Sequence, residues 1–232
     1  MASDHPTGRC AVLITGQERS LVTKLDAANQ FSVAHLEEST NWEVVEEARV
    51  IYSAGFLLTV SPEAMLKVGR FCAATDRNFC FNLSAAFIIK FFKEQIMSVM
   101  PYADIVFGNE TEAAMFAEIF NLGSVDLNVI AIAISKQPKA NMSTNRIVVI
   151  TQGSAPVIFV ENGQACEFPI EKVPAESIVD TNSAGDAFVG GFLAQFAQGR
   201  GVEASLRCGA WAAARLIQRP GCTLPEVMDF RE

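Results

Sequence analysis

A chain of 232 residues, half of them hydrophobic, is long enough to bury one substantial core, as a single domain or a domain with a small appendage. Its formal charge of −8, with no basic run, excludes nonspecific binding along a nucleic-acid backbone, and its interrupted apolar stretches at 51–60 and 85–92 are too short to cross a bilayer. The opening Met1-Ala2-Ser3-Asp4-His5-Pro6 lacks a basic-then-apolar leader pattern, and the six cysteines, at 10, 72, 80, 166, 208 and 222, lack paired metal spacing. Reduced thiols and an intracellular location are therefore expected, cytoplasmic with the nucleus as a second compartment.

In chain order, short β-rich runs alternate with longer helical patterns. Strands are predicted at Cys10–Ile14, Val50–Ser53, Asn78–Asn82, Ile105–Gly108, Ile147–Thr151 and Val157–Val160. Helices are predicted at Asn41–Ala48, Pro62–Thr75, Ala85–Met100, Glu110–Asn121, Asn128–Ser135, Ala187–Gln198 and Val202–Gln218, with 138–145 a polar surface connection. The alternation predicts an α/β fold: a doubly wound, mostly parallel sheet flanked by helices.

Chemistry concentrates where predicted strands end. Asn109-Glu110-Thr111-Glu112 follows Ile105-Val106-Phe107-Gly108, so its side chains emerge at the carboxyl edge of the sheet, where open α/β folds collect ligands. By itself the pattern fits an Asn helix cap with acids in the first turn equally well. Thr151-Gln152-Gly153 is either a plain turn or a close backbone approach to a nucleotide. The run Val179-Asp180-Thr181-Asn182-Ser183-Ala184-Gly185-Asp186 reads as the end of a buried strand at Ile178-Val179, a small-residue turn, and a helix starting near Asp186. Such a turn aims several N–H groups at one spot beside the positive end of a helix dipole, which suits a phosphate. Asp186 then either caps the helix or accepts a proton from an attacking hydroxyl. The small residues Gly209, Ala210 and Ala212 to Ala214 pack a base or another helix.

This last run, continued through Ala187-Phe188-Val189-Gly190-Gly191-Phe192, resembles the second signature of the PfkB family, the ribokinase-like carbohydrate and nucleoside kinases. Within that family the chain is most similar to the adenosine-phosphorylating kinases. Pro6-Thr7-Gly8, Ile14-Thr15-Gly16, Arg19-Ser20-Leu21, Ala54-Gly55-Phe56, Thr59-Val60-Ser61-Pro62-Glu63, Asn82-Leu83-Ser84-Ala85, Phe107-Gly108-Asn109-Glu110-Thr111-Glu112-Ala113 and Gly221-Cys222-Thr223 carry that similarity in order and spacing. It implies a ribokinase-like fold that transfers the γ-phosphate of ATP to the 5'-hydroxyl of adenosine, with Mg2+ as cofactor and AMP and ADP as products. By the resemblance Asp186 is the catalytic base, and the backbone of Ser183, Ala184 and Gly185 is the anion hole. Asn109 and Glu112 attend phosphate and Mg2+, while Thr151, Gly153 and Gly209 bind ATP. Cys10, Leu21, Leu25 and Phe56 wall the nucleoside, and Arg19 is a candidate phosphate contact. No residue is assigned as a direct metal ligand.

Ser183 stands where the resemblance expects Gly; a positive φ there would cost roughly 1–2 kcal/mol. Residues 1–29 resemble the last strands of a small β lid, truncated, and 30–232 the α/β domain with the nucleotide and phosphoryl-transfer site. The first residues match a point about a third of the way into such a kinase. The family's first sheet strands, its acidic ribose-binding residue and its Gly-Gly motif would lie before that point. A shortened form that binds nucleotide without catalysis, or pairs with a full-length enzyme, is therefore a second reading, and a kinase for another nucleoside or sugar is a third. The family is typically monomeric, but exposed sheet edges in a shortened form favour association.

Overall fold

The computed structural model describes residues 4–15, 18–223 and 229–231, without the side chains of Ile14, Glu18 and Arg19. Two strands, β1 (Arg9–Thr15) and β2 (Glu18–Lys24), pair antiparallel as a separate ribbon. After them come α1 (Val33–Leu36), α2 (Ser39–Glu47), β3 (Val50–Ala54), α3 (Pro62–Thr75), β4 (Asn78–Asn82), α4 (Ala86–Phe91), α5 (Lys93–Val99), β5 (Ile105–Asn109), α6 (Glu110–Ile119) and α7 (Leu127–Ser135). The chain continues through β6 (Ile147–Gln152), β7 (Ala155–Glu161), β8 (Gln164–Phe168), α8 (Ala184–Phe196) and α9 (Val202–Leu216).

The strands β3 to β8 form one sheet in the order β3-β4-β5-β6-β7-β8. The four from β3 to β6 are parallel; β7 and β8 add antiparallel pairs at the far side. Period-two alternation divides the side chains between two cores. Phe79, Phe81, Val106, Val148 and Ile150 face the layer of α3 to α7, and Cys80, Ile105, Phe107 and Val149 face α8 and α9. The expected doubly wound α/β architecture is thus present, and no described helix is long and apolar enough to cross a membrane.

Four sequence expectations change. The stretch expected as one helix from Ala85 to Met100 is two, because Phe92 leaves the helical region (φ −121°, ψ 35°) while its ring packs against the main core. β8 was not expected and β2 was implied only by the likeness of residues 1–29 to lid strands, because their mixed polar sequences carry no strong apolar alternation. β8 exists because Asn162 and Gly163 both take positive φ (51° and 77°), the geometry of a tight hairpin turn that folds it back on β7. Ile178-Val179 is not a buried strand end. It is extended surface chain, 38% and 60% exposed, held by the Val179 and Asp180 amides donating to the Ile217 carbonyl at the end of α9. Helix α8 begins at Ala184, two residues before the expected start, since the turn is completed by Ser183 alone.

One buried cation fastens the end of the sheet remote from the cleft. Arg146, 2% exposed, donates to the carbonyls of Met100, Ala103, Ile134, Ser135, Gln137 and Pro138. Its neighbour Asp104 accepts from the Phe79 amide (2.9 Å) and pairs with Lys139 at 2.7 Å. Burial pulls the Arg146 guanidinium down to about 10, with the Asp104 charge opposing the shift.

Candidate active site

The parallel strands end on one edge, and the turns after them line a cleft of ≈ 670 Å³. After β3 the chain turns at Gly55, whose missing side chain is a steric requirement: a Cβ there would stand 2.6 Å from the Asn82 carbonyl oxygen and 2.8 Å from that of Leu83. The Gly55 amide donates to Ser84 Oγ (2.9 Å), and the Ser84 amide to Asn82 Oδ1 (2.9 Å), so the ends of β3 and β4 are locked together. This presents Phe56, 52% exposed beside Phe87, to the cleft. From above, the β1–β2 ribbon contributes the facing pair Val12 and Leu21.

At the end of β5, Asn109 caps α6 in a reciprocal box. Its Oδ1 accepts from the Glu112 amide (2.8 Å), while Glu112 accepts from the Asn109 amide and from Asn109 Nδ2, both at 3.0 Å. Burial pushes the Glu112 carboxyl up to about 7, against the lowering effect of the Asn109 amide bond, with Glu110 adding to the rise. Tyr52 on β3 accepts from Asn82 Nδ2 (3.3 Å), and burial raises its phenol, the nearby Asp186 and Glu112 charges adding to the effect.

The turn before α8 completes the site. Ser183 sits in the left-handed region (φ 59°, ψ 13°), and its Oγ lies 2.8 Å from Cys222 Sγ. The first bond of regular helical spacing runs from the Ala187 amide to the Ser183 carbonyl (2.9 Å), so the Gly185 and Asp186 amides lie ahead of it, at the positive end of the helix. Asp180 clamps the turn: one carboxylate oxygen accepts from the Asn182 amide (2.8 Å), the other from the Gly221 amide (3.1 Å). Among the described residues lining the cleft there is no lysine or arginine, so the backbone amides supply its positive potential; Asp180, Asp186 and Glu112 supply carboxylates.

A second cavity of ≈ 260 Å³ lies on the other side of the same turn, between Thr151 and Gly153 at the end of β6, the 170–173 segment, and Ala213 on α9. Thr151, Ala184, Gly185 and Phe188 line both cavities, so the two meet at the start of α8.

Of the residues singled out in the sequence, Asp186, Ser183, Ala184, Gly185, Asn109, Glu112, Thr151, Leu21 and Phe56 come together in the cleft, and Gly153 lines the second cavity. Three do not. Cys10 is exposed on β1, two register pairs along the ribbon from Val12, with Thr23 Oγ1 on its sulfur at 3.4 Å. Leu25 follows the ribbon and lies outside both linings. Gly209 faces α8, where a Cβ would meet the Phe188 carbonyl oxygen at 2.7 Å, so its smallness serves the helix contact. The Arg19 side chain lies outside the described residues. Sequence reasoning missed the roles of Asp180, Ser84 and Cys222 and the 170–173 wall. Asp180 and Cys222 stood inside quoted motifs, but only the fold reveals that Asp180 holds the Gly221 amide and that Cys222 meets Ser183.

The pfkB family carbohydrate kinase model matches residues 1–228. Adenosine kinase 1 of Arabidopsis thaliana is 48% identical over 225 residues, covering 97% of this chain and 65% of that protein. The structure of Anopheles gambiae adenosine kinase in complex with P1,P4-di(adenosine-5) tetraphosphate superposes with a TM-score of 0.91 at 49% identity, covering 94% of this chain and 64% of that one. Schistosoma mansoni adenosine kinase in complex with 2-fluoroadenosine also gives 0.91, at 37% identity, over 95% of this chain and 65% of that one. The chain thus spans just under two thirds of these relatives' length, and over that span it belongs to the pfkB family of carbohydrate kinases.

Proposed function

We propose that the chain carries the phosphoryl-transfer site of an adenosine kinase, in which ATP gives its γ-phosphoryl group to the adenosine 5'-hydroxyl to yield AMP and ADP. The observation that carries this reading is the meeting of two cavities at one turn of backbone amides with a carboxylate beside it. A ligand with two adenosines joined through phosphates, as bound by the Anopheles relative, suits that shape. Adenosine lies in the larger cleft between Phe56 and Leu21, with residues 1–29 as its lid. ATP lies with its base in the second cavity, against Thr151, Gly153 and Ala213, and its phosphates at Ser183 to Gly185.

Asp186 then takes the proton of the 5'-hydroxyl as that oxygen attacks phosphorus, and the amides of Gly185 and Asp186 receive the charge that builds on the transferring oxygens. A magnesium ion bound to the ATP phosphates would supply further charge neutralisation. The carboxylates of Asp186 and Glu112 in the cleft lining suit such an ion held largely through water; among the described residues no three His, Cys, Asp or Glu side chains gather to ligate one directly. Asn109 and Glu112, locked to each other, orient that water from the α6 end of the cleft.

The test is conversion of adenosine to AMP by the purified 232-residue chain with ATP and Mg2+, with Asp186→Asn alongside. Activity lost in the variant supports the reading. A folded wild type that binds ATP without turnover would reduce it to a nucleotide-binding site.

A further inference from the structure

Outside the two cavities assigned above, the outer face of α9 carries Arg207, Trp211 and Arg215 at four-residue intervals, one above the other. This row is one wall of a groove of ≈ 490 Å³, whose other walls are the 168–174 segment, with Lys172, and the pair Phe230 and Arg231. Its size falls within the roughly 300–1,000 Å³ of small-ligand sites. Four cations and one carboxylate, Glu171, line it in a chain of formal charge −8. Glu203 engages Arg207 at 2.9 Å, and the Arg215 guanidinium lies 5.8 Å from the centre of the Trp211 ring. Among the described residues, no hydrogen bond or ion pair engages Lys172 or Arg231.

We propose that this groove is a second nucleotide site, taking a nucleoside mono- or diphosphate. Trp211 and Phe230, whose rings meet edge-on at 5.6 Å, present aromatic surface for a base, and planar guanidinium groups at Arg215 and Arg231, with the Lys172 ammonium, match phosphate oxygens. The groove and the second cavity share the wall made by Ile170, Glu171, Lys172, Val173, Ala210 and Ala214. The groove stands apart from the donor-site reading above.

The test is calorimetric titration of ADP into the 232-residue chain, into the Arg215→Gln/Arg231→Gln pair, and into Ser154→Phe, which fills the second cavity from its exposed rim. Quenching of Trp211 fluorescence is followed in a Trp42→Phe, Ser154→Phe background, where Trp211 is the sole tryptophan. Two classes of site are expected, one weakened at least tenfold by the arginine pair together with loss of quenching, the other removed by Ser154→Phe. A single class indifferent to the arginine pair overturns the groove and leaves the donor cavity standing. A single class weakened by both changes means one continuous trough and also overturns it, as does no ADP binding. A class lost only with the arginines upholds the groove, and the donor assignment is then what falls.

Discussion

Asp186 is the carboxylate at the mouth of the α8 amides, and its proposed task is proton transfer, a contribution of about 10²–10⁴ in rate. Asp186→Asn is therefore expected to lower kcat by that order while ATP affinity, measured by calorimetry, changes by less than about threefold, under 1 kcal/mol. Equal turnover would remove Asp186 from the base role. Glu112 makes a prediction about pH. Its carboxyl is raised to about 7 in the fold against an ordinary 4.5, so folding carries no penalty from it below that ordinary value and loses stability as pH climbs through about 7. The loss is on the order of 3 kcal/mol at 1.36 kcal/mol per unit. Urea midpoints should fall between pH 5 and 8, and Glu112→Gln should flatten that slope; an unchanged slope in the variant would assign the pH dependence to other groups. At Ser183 two effects oppose: the left-handed conformation costs roughly 1–2 kcal/mol with a side chain, and glycine costs about 0.5–1 kcal/mol in unfolded-state freedom. Ser183→Gly also surrenders the Cys222 contact, so its stability should lie within about 1 kcal/mol of wild type. The positive φ was foreseeable from a small-residue turn, but the thiol partner was not, because it arrives from 39 residues along the chain.

Helices α8 and α9 touch through backbone. A Cβ at Gly191 would stand 2.6 Å from the Cys208 carbonyl oxygen, and one at Gly209 2.7 Å from that of Phe188. Gly209→Ala must push the helices apart and should cost about 1–3 kcal/mol in a denaturant titration. An unaltered midpoint would show that the pair has slack. Elements with strong local signals were legible from sequence: α3 and β4 fall on their expected bounds, since Pro62 starts the one and the apolar run Phe79-Cys80-Phe81 between two asparagines marks the other. Those decided by tertiary contacts were not. The break at Phe92 carries no Gly or Pro, and β8 is a mostly exposed strand that exists because a turn returns it to β7. The same limit applied to the nucleoside wall: the ribbon register admits Leu21 and Val12 to the cleft and leaves Cys10, two pairs along, outside it.

Across the whole molecule, the sheet's carboxyl edge bears the chemistry and its opposite end bears Arg146. Arg146→Met would leave buried carbonyl oxygens without donors, and a loss of roughly 3–5 kcal/mol is expected by denaturation, of the size seen when a buried charge network is broken. A loss under about 1 kcal/mol would mean the 138–145 connection relaxes to satisfy them. Within the described sheet, β3 is hydrogen-bonded on one side only, by β4, so its outer edge is a natural place for added strand pairing. The amide turn belongs to neither helix alone. It begins α8, α8 meets the α9 backbone closely at Gly191 and Gly209, and the chain entering the turn hangs from the Ile217 carbonyl at the end of α9. Deuterium uptake by the amides of both helices should consequently proceed as one cooperative opening, with the phosphate-facing turn as slow to exchange as the helix pair behind it.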